Sequence, residues 1–230
     1  MRAPALAAVA HGSRHPAAAE ATRALLGEVR RQRPGLTVLE CYLDHDEPRL
    51  VDVLRAHPDA VVVPLLLGAA YHSGVDIPAA IAAAGGTAVP AEVLGPDPLL
   101  ISALERRLRE VGVVARDPST AVVLAAAGSS GAGAVAAVRR MAWDWSQRGW
   151  WAVEPAYASA AVPTVSDAIA RLRGRGAPRV AVATYLLFPG RFADAVWTAG
   201  ADVSSPPLAD APEVATLVLS RYDAAVARTS

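Results

Sequence analysis

Two histidines and an aspartate follow three short apolar segments of the N-terminal half, where they could act together on a metal ion. His11, Asp44 and His72 each come shortly after one of these segments. The segments are brief and rich in Val, Leu or Ala, which predicts buried parallel strands. Because the carboxyl ends of parallel strands share one edge of a sheet, the three side chains are expected to meet there. Two imidazoles and a carboxylate suit a borderline divalent metal with coordination positions left open. The segments are residues 6–10, 37–43 and 60–67.

The neighbours of Asp44 leave the assignment of the third ligand open. His45 could be a spare ligand or a solvated loop residue. Asp46 and Glu47 compete with Asp44 for the role of the acidic ligand. Any of these acids could instead form the acidic start of a helix opened by Pro48. The two remaining histidines precede prolines and are predicted to occupy turns or helix starts: His15 and His57.

A turn directly after His11 is predicted to bind substrate. Gly12, Ser13 and Arg14 lead into the first helix, which Pro16 opens. Backbone N–H groups at a helix start, with an arginine beside them, favour a carboxylate or phosphate, although such a turn can also serve only as a connection. Two residues that flank His72 complete the predicted substrate-binding set: Tyr71 and Ser73.

The elements that position these residues alternate between strand and helix along the whole chain. This order predicts an α/β fold with mainly parallel sheets flanked by helices. The pattern begins again after a polar hinge at 116–118, and the segment 9–13 resembles the segment 125–129. Internal duplication explains the repetition and predicts two similar lobes. We place the lobe that carries the active site at 1–115 and a degenerate repeat lobe at 116–230.

Composition excludes several classes of function. The 22 basic and 22 acidic residues give a net charge of zero, so no basic field exists for nucleic acid or an anionic membrane. The basic residues are all arginines, which excludes a Schiff-base lysine and a P-loop lysine. Cys41 is the only cysteine, which excludes an intramolecular disulfide and favours a reducing cytoplasm. The N-terminal apolar run is too short for a signal peptide, and no segment is predicted to cross a membrane.

A glycine-rich turn in the second half suggests a competing function. Residues 128–133 follow a predicted strand and open a helix, and Glu154 lies where a ribose-binding acid would be expected. A nucleotide-dependent oxidoreductase is the hypothesis that this turn supports. The glycine spacing differs from the dinucleotide fingerprint, however, and a close-packed connection between strand and helix explains the turn better.

Several motifs together resemble the class II chelatases, the sirohydrochlorin chelatases of the CbiX and SirB type. The second half is similar to the degenerate repeat of the longer members of this family. In the first half the motifs are AHGSR at 10–14, PLLL at 64–67, DIP at 76–78 and LGPDP at 94–98, and in the second half LLFPGRFAD at 186–194.

The resemblance implies an enzyme that inserts a divalent metal into sirohydrochlorin, a tetrapyrrole with eight carboxylates. Fe²⁺ would give sirohaem, and Co²⁺ would lead toward cobalamin; the metal is a substrate, and no cofactor is retained. The paired histidines of the family correspond to His11 and His72, and its acidic residue corresponds to Asp44. Ala127 and Ser159 stand at the equivalent places of the second half, which predicts one competent site per chain.

The expected enzyme is a cytoplasmic monomer or homodimer without nucleic-acid or membrane partners. A metal or tetrapyrrole carrier, with the same histidines and no turnover, is the alternative outside enzyme chemistry.

Overall fold

The computed structural model describes residues 3–68 and 72–229, apart from the side chains of residues 72 and 73. The chain divides into two compact units. The first contains the described residues of Met1–Gly95 and Pro212–Ser230, and the second contains Pro96–Ala211. No helix in the described part of the chain is long and apolar enough to cross a membrane.

The first unit is built on a four-stranded parallel sheet. Its strand order is β2-β1-β3-β4. Strand β1 is fully buried because it lies in the middle of the sheet and pairs on both sides, with β2 and with β3. Helix α1 turns its apolar stripe, including Leu25, Leu26 and Val29, toward the core. The elements are β1 Leu6–Ala10, α1 Pro16–Gln32, β2 Val38–Tyr42, α2 Leu50–Ala56, β3 Val61–Pro64, a π-helical turn His72–Asp76, α3 Ile77–Ala84 and β4 Val89–Pro90.

The second unit repeats this arrangement. Its parallel sheet has the order β6-β5-β7-β8, and its central strand β5 is again completely buried. Two parallel sheets flanked by helices confirm the predicted fold class. The elements are α4 Pro98–Glu110, β5 Thr120–Ala126, α5 Ala132–Ser146, β6 Ala152–Tyr157, α6 Val165–Gly174, β7 Arg179–Tyr185, α7 Arg191–Trp197 and β8 Val203–Ser204. The last helix of the chain, α8 Pro212–Ala227, belongs to the first unit.

The last helix of each sequence repeat packs in the compact unit of the other repeat. Helix α4 contacts β7, and helix α8 contacts α1 and β3. Tyr222 of α8 donates a hydrogen bond from its hydroxyl to the Pro4 carbonyl at 2.7 Å, and Arg221 donates to the carbonyls of Val93 and Leu94 at 2.9 Å. The predicted division into 1–115 and 116–230 therefore differs from the compact units. Sequence spacing could locate the repeats, but helix packing decides which sheet each terminal helix covers.

Candidate functional site

The candidate site lies at the carboxyl edge of the first sheet. Strand β1 pairs with β2 on one side and with β3 on the other, so the chain crosses to the opposite side of β1 between β2 and β3. This change of side is the topological switch point at which open α/β sheets bind ligands. His11 is the first residue after β1, and the segment after β3 leads to the turn that begins at His72.

Backbone hydrogen bonds hold the loops after β1 and β2 side by side. The Leu43 N–H donates to the Ala10 carbonyl at 3.0 Å, and the Asp44 N–H donates to the His11 carbonyl at 2.8 Å. Gly12 makes this approach possible, because a Cβ at that position would lie 1.8 Å from the Asp44 carbonyl oxygen. Its φ of 90° also lies in the left-handed region that favours glycine. The backbones of His11 and Asp44 therefore lie side by side at this edge of the sheet.

Asp46 stabilises the turn that follows His11. Its Oδ2 accepts a hydrogen bond from the Ser13 N–H at 2.9 Å, and the Ser13 hydroxyl accepts one from the His15 N–H at 3.1 Å. The Ser13 N–H, predicted to contact substrate, is therefore already bonded to a carboxylate, and a substrate carboxylate would have to compete with Asp46 for it. Arg14 is exposed.

The Asp44 carboxylate has two polar partners on one oxygen. Its Oδ1 accepts a hydrogen bond from the His45 N–H at 2.8 Å and another from Arg49 Nη1 at 3.2 Å. Arg49 also donates to the Leu43 carbonyl at 3.0 Å, which fixes the guanidinium beside the carboxylate. The His45 N–H and then Arg49 lower the pKa of Asp44 below its ordinary value, so this group stays ionised. Sequence analysis missed Arg49, whose only signal is a basic residue five positions after the predicted ligand.

His45 lies beside both predicted ligands that the structure describes. Its Nε2 is 3.7 Å from Asp44 Oδ2, and its ring meets the His11 ring edge to face with 6.0 Å between the centroids. Its backbone has a φ of 62°, in the left-handed region. The sequence left this residue open between a ligand and a solvated loop residue. The structure puts it next to His11.

The remaining predicted site residues lie outside the described part of the molecule. This holds for Tyr71 and for the side chains of His72 and Ser73. Among the side chains that are described, no group of three His, Cys, Asp or Glu residues is arranged to hold a metal ion. The full ligand set of His11, Asp44 and His72 therefore stays a prediction.

The equivalent turn of the second unit has the same backbone conformation but lacks the side chains that could bind a metal. A Cβ at Gly128 would lie 1.8 Å from the Ser159 carbonyl oxygen, and the Ser159 N–H donates to the Ala127 carbonyl at 2.9 Å. The φ of Ala160 is 53°, close to that of His45. Ala127, Ser159, Ala160 and Ala161 thus occupy the places of His11, Asp44, His45 and Asp46.

The glycine-rich turn at 128–133 has a structural explanation. Gly128 permits the close approach to the Ser159 carbonyl, whereas a Cβ on Gly133 would meet no described atom within 4 Å. The third glycine of a dinucleotide fingerprint allows close packing of helix against strand, and Gly133 does not have that role. Glu154 is bonded to Arg175 at 2.6 Å and lies 3.6 Å from Arg171. Its carboxylate is therefore occupied by arginines.

Comparison with known proteins places this geometry in a family. A family model described as CbiX matches residues 5–111 and 121–225, which cover both sequence repeats. The chain belongs to the CbiX family. CbiX membership fits the duplicated sheets and the retained histidine at the first switch point.

A curated relative and two solved structures give the degree of similarity. The sirohydrochlorin cobaltochelatase of Priestia megaterium is 27% identical over 198 residues, which are 79% of this chain and 63% of that protein. The aligned part thus spans less than two thirds of the length of that relative.

SirB from Bacillus subtilis, solved with Fe³⁺, has a TM-score of 0.78 and 24% identity over 98% of this chain and 96% of its own. SirB from Bacillus subtilis subspecies spizizenii, in complex with cobalt, has a TM-score of 0.76 and 22% identity over the same shares. These two structures share the fold of this chain.

Proposed function

We propose that this protein is a sirohydrochlorin chelatase that inserts a divalent metal, Fe²⁺ or Co²⁺, into the tetrapyrrole. Membership of the CbiX family and the cobaltochelatase activity named for the curated relative support this reaction. The observation that carries the proposal is the contrast between the two repeats. His11, Asp44 and His45 cluster at the switch point of the first sheet, whereas the equivalent turn of the second sheet has only small side chains.

His11 and His72 are assigned to the metal and to the protons that leave the substrate. Metal insertion releases two pyrrole N–H protons as the four ring nitrogens take the ion. A neutral imidazole binds a divalent metal through one nitrogen and can accept a proton when the metal has left. Asp44 supplies an oxygen ligand. A set of ligands that includes this oxygen binds these metals less tightly than a set made only of imidazoles, which favours transfer of the metal to the tetrapyrrole. The metal is a substrate, and no cofactor is retained.

The substrate carboxylates are assigned to the loops around these ligands. Arg14 is exposed and can pair with a carboxylate, as guanidinium groups commonly do. Gly12 would contact the substrate through its backbone, because the Asp44 carbonyl occupies the space that a side chain would need. The rest of the proposed substrate-binding set is Ser13, Tyr71 and Ser73.

A carrier of metal or tetrapyrrole is the alternative that the same donors support. The test is incubation with sirohydrochlorin and each of Fe²⁺, Co²⁺ and Ni²⁺ under anaerobic conditions, followed by absorbance. A chelatase converts many equivalents of sirohydrochlorin per chain above the rate without protein. A spectral change that stops at one equivalent would establish a carrier instead. The oxidoreductase hypothesis predicts retention of NAD(P), and the occupied Glu154 and the open Gly133 argue against it.

The proposed setting is the cytoplasm, where the enzyme acts as a monomer or homodimer without nucleic-acid or membrane partners. Cys41 supports a reducing compartment, since it is a buried thiol that donates to the Ala8 carbonyl at 3.3 Å. Size-exclusion chromatography with light scattering decides between monomer and homodimer.

A further inference from the structure

We propose that His45 is a further metal ligand, which receives the incoming ion together with Asp44 beside His11. The inference rests on the proposed function, since the ion in question is the metal substrate. It assigns a chemical role to an imidazole that the sequence left open.

The two donor atoms are slightly farther apart than two ligands of one ion. With metal–nitrogen and metal–oxygen distances of about 2.0–2.2 Å, two ligands of one ion lie roughly 2.9–3.5 Å apart in octahedral or tetrahedral geometry. His45 Nε2 and Asp44 Oδ2 are 3.7 Å apart, so a shift of a few tenths of an ångström brings them to that range. The His45 and Asp44 side chains are 32% and 53% exposed, which leaves them room to rotate. Closure of the donor set around an ion needs only such side-chain rotation.

The two imidazoles also lie at a suitable distance. Rings that bind one ion through a nitrogen have centroids roughly 4.5–6.4 Å apart, given the usual metal–nitrogen bond length. The His11 and His45 centroids are 6.0 Å apart, within this range. This separation is wider than that of two tetrahedral ligands, so the rings of His11 and His45 reach one ion after the side chains rotate.

Arg49 leaves the other oxygen of Asp44 for the metal. It shares Oδ1 with the His45 N–H, whereas Oδ2 faces His45 Nε2. The guanidinium thus orients the carboxylate toward the imidazoles. Its positive charge also opposes tight retention of a cation, which suits a site that must pass its metal on.

The second repeat separates the role of the backbone from that of the side chain. Ala160 adopts the left-handed conformation of His45, so this conformation belongs to the turn and does not require an imidazole. The imidazole occurs only where His11 and Asp44 are also present, and all three donors are replaced together by Ala127, Ser159 and Ala160. A ligand role explains why the three donors occur as a set.

The test is direct Co²⁺ binding to the full chain without tetrapyrrole, for the unchanged protein and for His45→Gly. Glycine readily adopts a φ of 62°, and its backbone N–H can still donate the hydrogen bond that Asp44 Oδ1 accepts. The variant therefore retains the turn. We expect the variant to bind Co²⁺ about tenfold more weakly or worse. Loss of a group that only supports a ligand already has an effect of about this size, and loss of a ligand should not have a smaller one. Paramagnetic proton NMR of the Co²⁺ form should lose one shifted imidazole N–H signal.

Two control variants isolate the effect. His57→Gly removes an imidazole just before β3, at the opposite edge of the same sheet, and should change neither the Co²⁺ affinity nor the number of shifted signals. Ala160→His adds an imidazole to the same turn of the second repeat and should create no second Co²⁺ site.

The outcomes decide between the inference and the proposed function. Unchanged Co²⁺ affinity in His45→Gly overturns the ligand role. Weakened affinity with every shifted imidazole signal retained also overturns it, because His45 then acts only by orienting Asp44. If the unchanged protein metallates sirohydrochlorin in either case, the proposed function stands by itself. An unchanged protein that neither binds Co²⁺ nor metallates sirohydrochlorin overturns both.

Discussion

Gly12→Ala should separate the two loops of the site and abolish metal binding. The added Cβ would lie 1.8 Å from the Asp44 carbonyl oxygen, whereas such contacts essentially never fall below 3.0 Å. The loops after β1 and β2 must therefore move apart by at least 1.2 Å. This movement stretches the 2.8 Å hydrogen bond from the Asp44 N–H to the His11 carbonyl. It thereby draws His11 away from Asp44.

The expected cost in folding free energy follows from three local losses. A non-glycine residue in the left-handed region costs about 1–2 kcal/mol. The hydrogen bonds of the Asp44 N–H and the Ser13 N–H contribute about 0.5–1.5 kcal/mol each. Gly12→Ala should thus destabilise the first unit by about 2–5 kcal/mol, a large share of the usual 5–15 kcal/mol of a domain. Some protein should still fold at low temperature and be available for binding measurements.

Gly128→Ala is the matched control, because the same 1.8 Å overlap arises there with the Ser159 carbonyl oxygen. Both variants should lose stability in urea, followed by circular dichroism. Gly12→Ala should lose about 0.5–1.5 kcal/mol more, because Ala161 has no carboxylate to match the bond from the Ser13 N–H to Asp46. Tryptophan fluorescence should report mainly the loss in Gly128→Ala, since every tryptophan lies between residues 143 and 197, within the second unit. Only Gly12→Ala should lose Co²⁺ affinity in the folded fraction.

Two results would refute this reasoning. Gly12→Ala with unchanged Co²⁺ affinity would mean that the approach of the two loops is not needed for metal binding. Equal loss of affinity in both variants would mean that general destabilisation, and not the geometry at His11, controls the site.

Three other changes test the site and the fold. His11→Ala and His72→Ala should each remove most chelatase turnover, and the double variant should cost little more than the worse single variant, because residues that act as a unit are non-additive; multiplicative losses in steady-state rates would place them in separate sites. A chain that ends after Arg116 should fail to fold, since it lacks helix α8, whose buried aliphatic side chains contribute about 8 kcal/mol to the first unit; a cooperative urea transition of this fragment would contradict the packing. Arg49→Ser should raise the pKa of Asp44 toward the ordinary value of about 3.9, because the guanidinium helps to lower it. The ionised Asp44 carboxylate stabilises the folded state at pH values above the ordinary pKa, and this stabilisation is lost as the pH falls through the lowered pKa. An unchanged midpoint in a carbon-13 NMR titration of the Asp44 carboxyl group would contradict this cause.

The sequence alone determined the types of chemistry and the elements that carry them. Buried strands and amphipathic helices follow from apolar spacing, which depends on near neighbours in the chain. The position of His11 directly after a predicted buried strand put it at the edge of the sheet where open α/β folds bind ligands. The second repeat could be recognised as a degenerate copy because Ala127 stands in the place of His11.

Only the tertiary structure decided which groups share the site. No local pattern shows that Gly12 packs against the Asp44 carbonyl, that Asp46 bonds to the Ser13 N–H, or that His45 meets His11. These contacts depend on how two separate loops approach each other beyond the ends of neighbouring strands.

Contacts between residues distant in the chain also decide which sheet each of the helices α4 and α8 covers. The hydroxyl of Tyr222 reaches the carbonyl of Pro4, 218 residues away in the chain. An amphipathic pattern fixes which face of a helix is buried, but it does not specify the sheet that buries it. The alternation of strand and helix is consistent with helices at α4 and α8, whereas their exchange between the repeats became visible only in the packed structure.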